Sequence, residues 1–328
     1  MPIDVADIPK AELHCHLDGI LDPAMLRELR EEGIDLSVDE GALEAAYPVR
    51  DFESFFAWGA SHASLDGRLD LYQHIARHHI QRLRAQTVVY AELFVASGEL
   101  SLDPSLAVDQ LAAFREAVTT YGAGEIQVEL LIAWGRNRGL DRAQQICTRN
   151  LRLFDAGLIC GVSLAGPEVG FPVAPLAPVF DRYHAAGVPI QIHAVEWCGP
   201  ESAWDALAHG HPSRLGHGTH VLDDPRLVET LLARRIHVEM CPTSNLCTGS
   251  IARIEDHPIR RALDAGMDVS VATDDPGAFR CSMTSEHALL AERFGFTRDE
   301  LLRLGANAVR ARFQPTLRVA PAEALALA

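Results

Sequence analysis

Eight short apolar runs rich in β-branched residues, each set off from the next by a stretch of helical periodicity, organise this sequence. They fall at 11–17 (AELHCHL), 87–94 (TVVYAELF), 126–134 (IQVELLIAW), 158–166 (LICGVSLAG), 189–196 (PIQIHAVE), 214–218 (RLGHG), 236–242 (IHVEMCP) and 268–275 (DVSVATDD). Such alternation marks βα units feeding a parallel sheet, and eight units predict a closed (β/α)8 TIM barrel of the α/β class. No repeat, low-complexity linker or composition break divides the chain, so a single domain over 1–328 is expected.

About 70 residues separate the first two runs, more than one crossover helix requires, and they include the aromatic stretch FESFFAWGA. The spacing predicts an inserted helical segment, either a lid over the barrel mouth or an extra packing pair of helices. From Thr297, TRDELLRLGANAVRARF reads as an N-capped helix followed by a closing one, and the alanine-rich end after Pro321 reads as a loose tail.

Against 29 basic residues stand 45 acidic ones, a net charge of −16, and no basic run occurs. Such a field repels phosphate backbones and anionic membranes, so the expected partner is a neutral or cationic small molecule, not nucleic acid or a membrane. No apolar stretch reaches the ~18 residues of a membrane span and the N-terminus lacks a secretory pattern, so a cytoplasmic location is expected. The seven cysteines contain no C-x-x-C pair and read as reduced, mostly buried thiols. Lys10 is the only lysine, which argues against a Schiff base, a P-loop or a carboxylated-lysine metal bridge. Nothing in the sequence sets the oligomeric state, and a homo-oligomer is compatible with it.

In a barrel the C-terminal ends of the strands converge on the active site. His14 and His16 alternate on the first strand and share one side of it, as two ligands of one metal ion would. Alone, such a pair reads better as two satisfied histidines. However, His193, His217 and the Asp274–Asp275 pair reach the same rim from distant parts of the chain. Imidazole and carboxylate are the ligands a borderline cation such as zinc takes. Glu196, just past the fifth strand, would donate a proton near neutral pH if withdrawn from water. Asp274-Asp275-Pro276 also reads as a helix N-cap, so that one Asp ligates while its neighbour caps or hydrogen-bonds. The other histidines read as structural or solvated, with His220 open because it follows His217 closely.

Six motifs in order, HCHLDG (14–19), SLAGPE (163–168), HAVE (193–196), RLGHG (214–218), VEMCPTSN (238–245) and ATDDPGAF (272–279), span nearly the whole chain. Their set resembles the adenosine deaminase family of the amidohydrolase superfamily. The resemblance implies that His14, His16, His193 and Asp274 hold one zinc ion and leave a position for a water nucleophile. It implies that His217 deprotonates or orients that water, and that Glu196 protonates the ring nitrogen next to the carbon under attack. Asp275 would bond the imidazole part of the purine, the Gly166 backbone the pyrimidine edge, and Asp18 the ribose 5′ hydroxyl. The implied reaction is hydrolytic deamination of adenosine or a modified adenosine, with no organic cofactor. Free adenine or another aminated heterocycle is the alternative substrate, and a non-enzymatic purine-binding barrel the remote one. Val195 and Trp197 beside Glu196, Phe94 after the second strand's glutamate, and Ser163 and Pro167 depart from the family's usual residues. They are expected to make the pocket bulkier and less polar.

Overall fold

The eight runs are strands in the computed structural model, which describes residues 3–122 and 124–327. They are β1 (Lys10–His16), β2 (Val88–Ala96), β3 (Gln127–Gly135), β4 (Gly161–Ala165), β5 (Ile190–Ala194), β6 (Arg214–His217), β7 (His237–Met240) and β8 (Val269–Val271). Neighbours pair in parallel, in chain order from β1 to β8. Beyond β8 the chain meets β1 through a bridge between Cys15 and Asp274. There the His16 N–H donates to the Asp274 carbonyl at 2.8 Å and the Asp274 N–H to the His14 carbonyl at 2.9 Å. The expected (β/α)8 barrel is therefore present, and the bonds that close it carry His14, His16 and Asp274 to one place.

Below that place the barrel interior is polar. Arg214 on β6 donates to Glu92 of β2 at 2.6 Å and forms an ion pair with Glu239 of β7 at 2.7 Å, all three buried, while its guanidinium lies 3.5 Å from the centre of the Phe313 ring. Such charges persist in a core only when paired, and here each has a partner. Lys10, at the opposite end of β1 from the histidines, donates to the carbonyls of Val5, Ile8 and Gln86. The lone lysine is thus committed to the barrel floor, away from any chemistry. All seven cysteines are free thiols, four of them buried.

Between β1 and β2 lie four helices, α1 (Pro23–Glu31), α2 (Glu40–Ala45), α3 (Phe52–Ala60) and α4 (Leu69–Ala85). A capping box between Asp51 and Ser54 starts α3. Trp58 of α3 is buried, and its indole N–H donates to the Tyr47 hydroxyl at 3.0 Å. On its other side Phe52, Phe55 and Phe56 line the cavity at the strand C-terminal ends. The segment therefore packs and also supplies a cavity wall, joining the two alternatives.

Two expectations at the C-terminus are corrected. Residues 298–311 form one continuous helix, begun by a Thr297–Glu300 capping box, in place of two. Within it Gly305 is a close approach: a Cβ there would lie 3.1 Å from the Pro9 carbonyl oxygen. The alanine-rich end is a helix, Ala320–Ala326, whose Ala322 and Leu325 are buried in a cluster with Val309 and Leu13. Among the described residues no helix is long and apolar enough to cross a membrane.

Candidate active site

His14, His16, His193, His217 and Asp274 converge where the strands end. One donor atom each from His14, His193, His217 and Asp274 fall within 4.8 Å of one another. His16 belongs to the same group, its Nε2 being 3.3 Å from His193 Nε2 and 3.5 Å from Asp274 Oδ1. His14 Nε2 lies 3.3 Å from that same carboxylate oxygen. Two donors bonded at about 2.0–2.1 Å to one tetrahedral ion stand about 3.3–3.4 Å apart, so these separations are of the size that one such ion requires. His14 Nε2 is buried without a hydrogen-bond partner, as expected of an atom reserved for a metal.

The far side of each of these groups is tied down. Glu239 accepts from His14 Nδ1 at 2.9 Å and is itself held by Arg214. Gln191 Oε1 lies 3.2 Å from His193 Nδ1 and also accepts from the Ser163 hydroxyl at 2.6 Å. Ser244 donates to Asp274 Oδ2 at 2.6 Å. Such outer bonds fix tautomers and ring orientations around a metal. Sequence reasoning missed Glu239, which is 225 residues from its partner His14. Gly216 makes room for that arrangement, because a Cβ on it would lie 2.8 Å from the His14 ring.

His217 differs from the other imidazoles. The Ile259 N–H donates to His257 Nδ1 at 3.3 Å, so His257 Nε2 carries the proton and gives it to Asn245 Oδ1 at 3.3 Å. Asn245 Nδ2 then donates to His217 Nδ1 at 3.2 Å. The chain leaves the His217 proton on Nε2, facing the site, where it can donate but cannot ligate at the same time. His257, read from the sequence as merely structural, is the far anchor of this chain. His220 pairs instead with Asp223 at 3.3 Å.

Electrostatics sort the groups by role. Burial keeps His16, His193 and His217 neutral, the form in which imidazole binds metals, with His217 lowered to about 3. At His14 burial is outweighed by Asp274 and Glu239, which hold its pKa up to about 10, so this position calls for positive charge. Burial alone would raise Asp274, but His14, His217 and His16 hold it well below the usual carboxylate range. Asp275 moves the opposite way, pushed well up by burial, then Asp274 and Asp18. Glu196 is pushed up to about 8 by burial, with Asp274 and Glu168 adding, and its carboxylate lies 3.6 Å from His217 Nε2. Neighbouring acids driven apart in this way are what acid–base catalysis uses.

A cavity of about 550 Å³ opens over the cluster, lined by His16, Asp18, Gly166, His193, Glu196, His217, Asp274 and Asp275. Gly166 has φ +88, and a Cβ on it would come within 3.2 Å of the Gly135 backbone, so glycine is needed there. Asp18 presents a buried Oδ1 with no hydrogen-bond partner. Asp275 precedes the helix Pro276–Phe279, but its side chain makes no capping bond. Asp275 thus holds the N-cap position with Pro276 opening the helix, as expected, but its side chain packs 1.9 Å from where a Cβ on Gly19 would lie instead of closing a cap bond.

The expectation that Val195, Phe94 and Ser163 fill the pocket is also corrected. None of the three lines the cavity. Phe94 is buried beneath the metal cluster, its ring 4.9 Å from that of His14 and 5.0 Å from that of His16. Ser163 serves the Gln191–His193 pair, and Val195 is buried in the main core. Trp197 acts on the wall only through Phe52, 5.4 Å away, while Pro167 does line the cavity.

Eight parallel strands with imidazoles, an aspartate and a glutamate of raised pKa at their C-terminal ends define a metal-dependent amidohydrolase. The family model for adenosine deaminase matches residues 9–320. An aminodeoxyfutalosine deaminase of Streptomyces avermitilis is 33% identical over 325 residues, covering 94% of this chain and 87% of its own. An adenine deaminase of Rhizobium meliloti is 32% identical over 317 residues, covering 95% and 96%. The crystal structure of adenine deaminase from Arthrobacter aurescens superposes with a TM-score of 0.82 at 25% identity, covering 98% of this chain and 99% of that one. The chain belongs to the adenosine deaminase family, and it is a hydrolytic deaminase.

Proposed function

We propose that the protein removes the amino group of an adenine-type purine nucleoside, adenosine or a modified adenosine, giving the 6-oxopurine and ammonia, with one zinc ion per chain. The observation that carries this reading is a donor cluster spaced to hold one metal ion with the largely enclosed Glu196 carboxyl lining the cavity beside it, 3.6 Å from His217 Nε2. His14, His16, His193 and Asp274 would hold the zinc, and the tetrahedral-edge separations and the unpartnered His14 Nε2 fit that ion. When bound, zinc supplies the Lewis acidity that makes water a nucleophile near neutral pH.

The chain's own residues do the rest. Glu196 gives its proton to the ring nitrogen beside the amino-bearing carbon, which relieves the aromatic resistance to attack. His217, with Nε2–H turned into the site, orients the nucleophile and steadies the negative charge that develops. Asp275, pushed towards its protonated form by burial and then by Asp274 and Asp18, would donate to an imidazole-ring nitrogen of the purine. The exposed backbone at Gly166 meets the pyrimidine edge, and the Asp18 carboxylate on the cavity wall accepts from a sugar hydroxyl.

Room favours a nucleoside over the bare base. The same cavity takes in Arg138, Arg142 and the phenylalanines of α3 besides Asp18, a wider lining than the bare base needs. Arg138 and Arg142 have no carboxylate partner among the described residues, so a polar or anionic group on the sugar would find donors there. The adenine deaminase relatives favour a second reading, deamination of the free base. Ammonia release from adenosine, 5′-extended adenosines and adenine separates the two. Nucleosides are expected to exceed adenine in kcat/KM by about tenfold or more, because Asp18 would stay unpaired with the base alone. Turnover of adenine only would establish the second reading.

The layer behind the metal gives a further expected result. Glu239→Gln cannot accept from His14 and pair with Arg214 as the carboxylate does, so zinc affinity falls about 10- to 100-fold. A chelator competition measures it, and wild-type affinity in the variant would contradict the role given to Glu239.

A further inference from the structure

Glu168 closes the SLAGPE motif, and no step described above uses it. Its carboxylate is buried against the loop that leaves β5. One oxygen accepts from the Val195 N–H at 2.6 Å and from the Ser202 hydroxyl. The other accepts from the N–H groups of Glu196 at 3.1 Å, Trp197 at 2.7 Å and Cys198 at 2.9 Å. Four consecutive backbone N–H groups thus turn inward on a single carboxylate, a concave arrangement that an extended strand cannot adopt.

We propose that Glu168 is the positioning residue for Glu196, the carboxylate on which the 195–198 backbone folds so that the Glu196 side chain meets His217 and the cavity. The inference rests on the role of Glu196 as the proton donor.

The local geometry requires such an anchor. β5 ends at Ala194, three residues after Gln191, and the chain must reverse at once if His193 and Glu196 are to reach the same cavity. It does so with Val195 at φ +59, a conformation that a β-branched residue takes only under external restraint. On the other side Arg136, buried after β3, donates to the His193 carbonyl. Glu168 arrives through Gly166 and Pro167, so the loop touching the purine edge also sets the acid. Without the carboxylate the four N–H groups have no common acceptor, and the turn has no reason to keep its shape.

Glu168→Gln retains the length of the side chain but puts an amide donor where N–H groups need an acceptor. Amide hydrogen exchange over 195–198 is expected to rise about 100-fold or more in this variant, with bound zinc unchanged. kcat is expected to fall about 30-fold or more and KM to move less than about threefold, since misplacing a reacting group costs rate more than binding. In a Glu196→Gln background the same change is expected to cost less than about threefold, because its effect passes through Glu196. Should Glu168→Gln fail to fold, Ser202→Ala removes one bond of the same clamp and is expected to give a smaller rise in exchange and the same non-additivity. Unchanged exchange, or an equal loss of kcat in both backgrounds, overturns the proposal while leaving Glu196 as the acid. A Glu196→Gln single variant with wild-type turnover would instead overturn the role of Glu196 itself.

Discussion

Asp274→Ala is expected to bind essentially no zinc and to lose turnover by about 10³-fold or more, the scale of removing a Lewis acid from a hydrolytic site. Among the described residues Asp274 is the anion that faces both His14 Nε2 and His16 Nε2, at 3.3 and 3.5 Å, and Ser244 holds its second oxygen. Imidazoles alone would leave the metal's charge unneutralised in a buried setting, which is costly at low effective dielectric. The backbone adds to the case, since Asp274 sits at φ +64 and carries both bonds that close the barrel onto β1. An aspartate tolerates that conformation better than most residues, and holding it there costs of order 1–3 kcal/mol. Metal analysis and circular dichroism together check the result: a folded variant with stoichiometric zinc would remove Asp274 from the ligand set.

Glu196→Gln is expected to behave differently, keeping zinc and losing about 10²–10⁴ in kcat. Glutamine preserves the shape and can still bond a ring nitrogen, but it has no proton to transfer. The carboxyl is suited to the task because burial, Asp274 and Glu168 push its pKa up to about 8. The acting form is the protonated one, so wild-type activity is expected to fall as pH rises through that range, and the Gln variant to lack this limb. Equal metal loss in Asp274→Ala and Glu196→Gln would mean that the two roles are wrongly assigned.

Residue types at strand ends made much of this site legible. His14, His16, His193, His217, Glu196, Asp274 and Asp275 all sit at or just beyond strand C-termini, where a βα pattern alone places them together. Depth along a strand was not legible. Phe94 and Ser163 share the inward face with true cavity residues, but they lie one layer lower and support the imidazoles from below. Partners that meet only in space were hidden too, as with Glu239 under His14 and the His257–Asn245–His217 chain. Glu168 was hidden for another reason, because its partners are backbone N–H groups that carry no residue signature. At the C-terminus the contact of Gly305 with the Pro9 carbonyl, inside one continuous helix, depends on tertiary packing.

The central claim is that this chain, loaded with metal, hydrolyses the amino group from an adenine-type nucleoside. Turnover of adenosine in ¹⁸O-water tests it most directly, with product mass and ammonia followed in zinc-loaded and chelator-treated protein. The predicted result is one ¹⁸O in a 6-oxopurine nucleoside, ammonia in equal amount, and loss of both on metal removal with recovery on adding zinc. Product without ¹⁸O, or equal turnover by the metal-free protein, would contradict it.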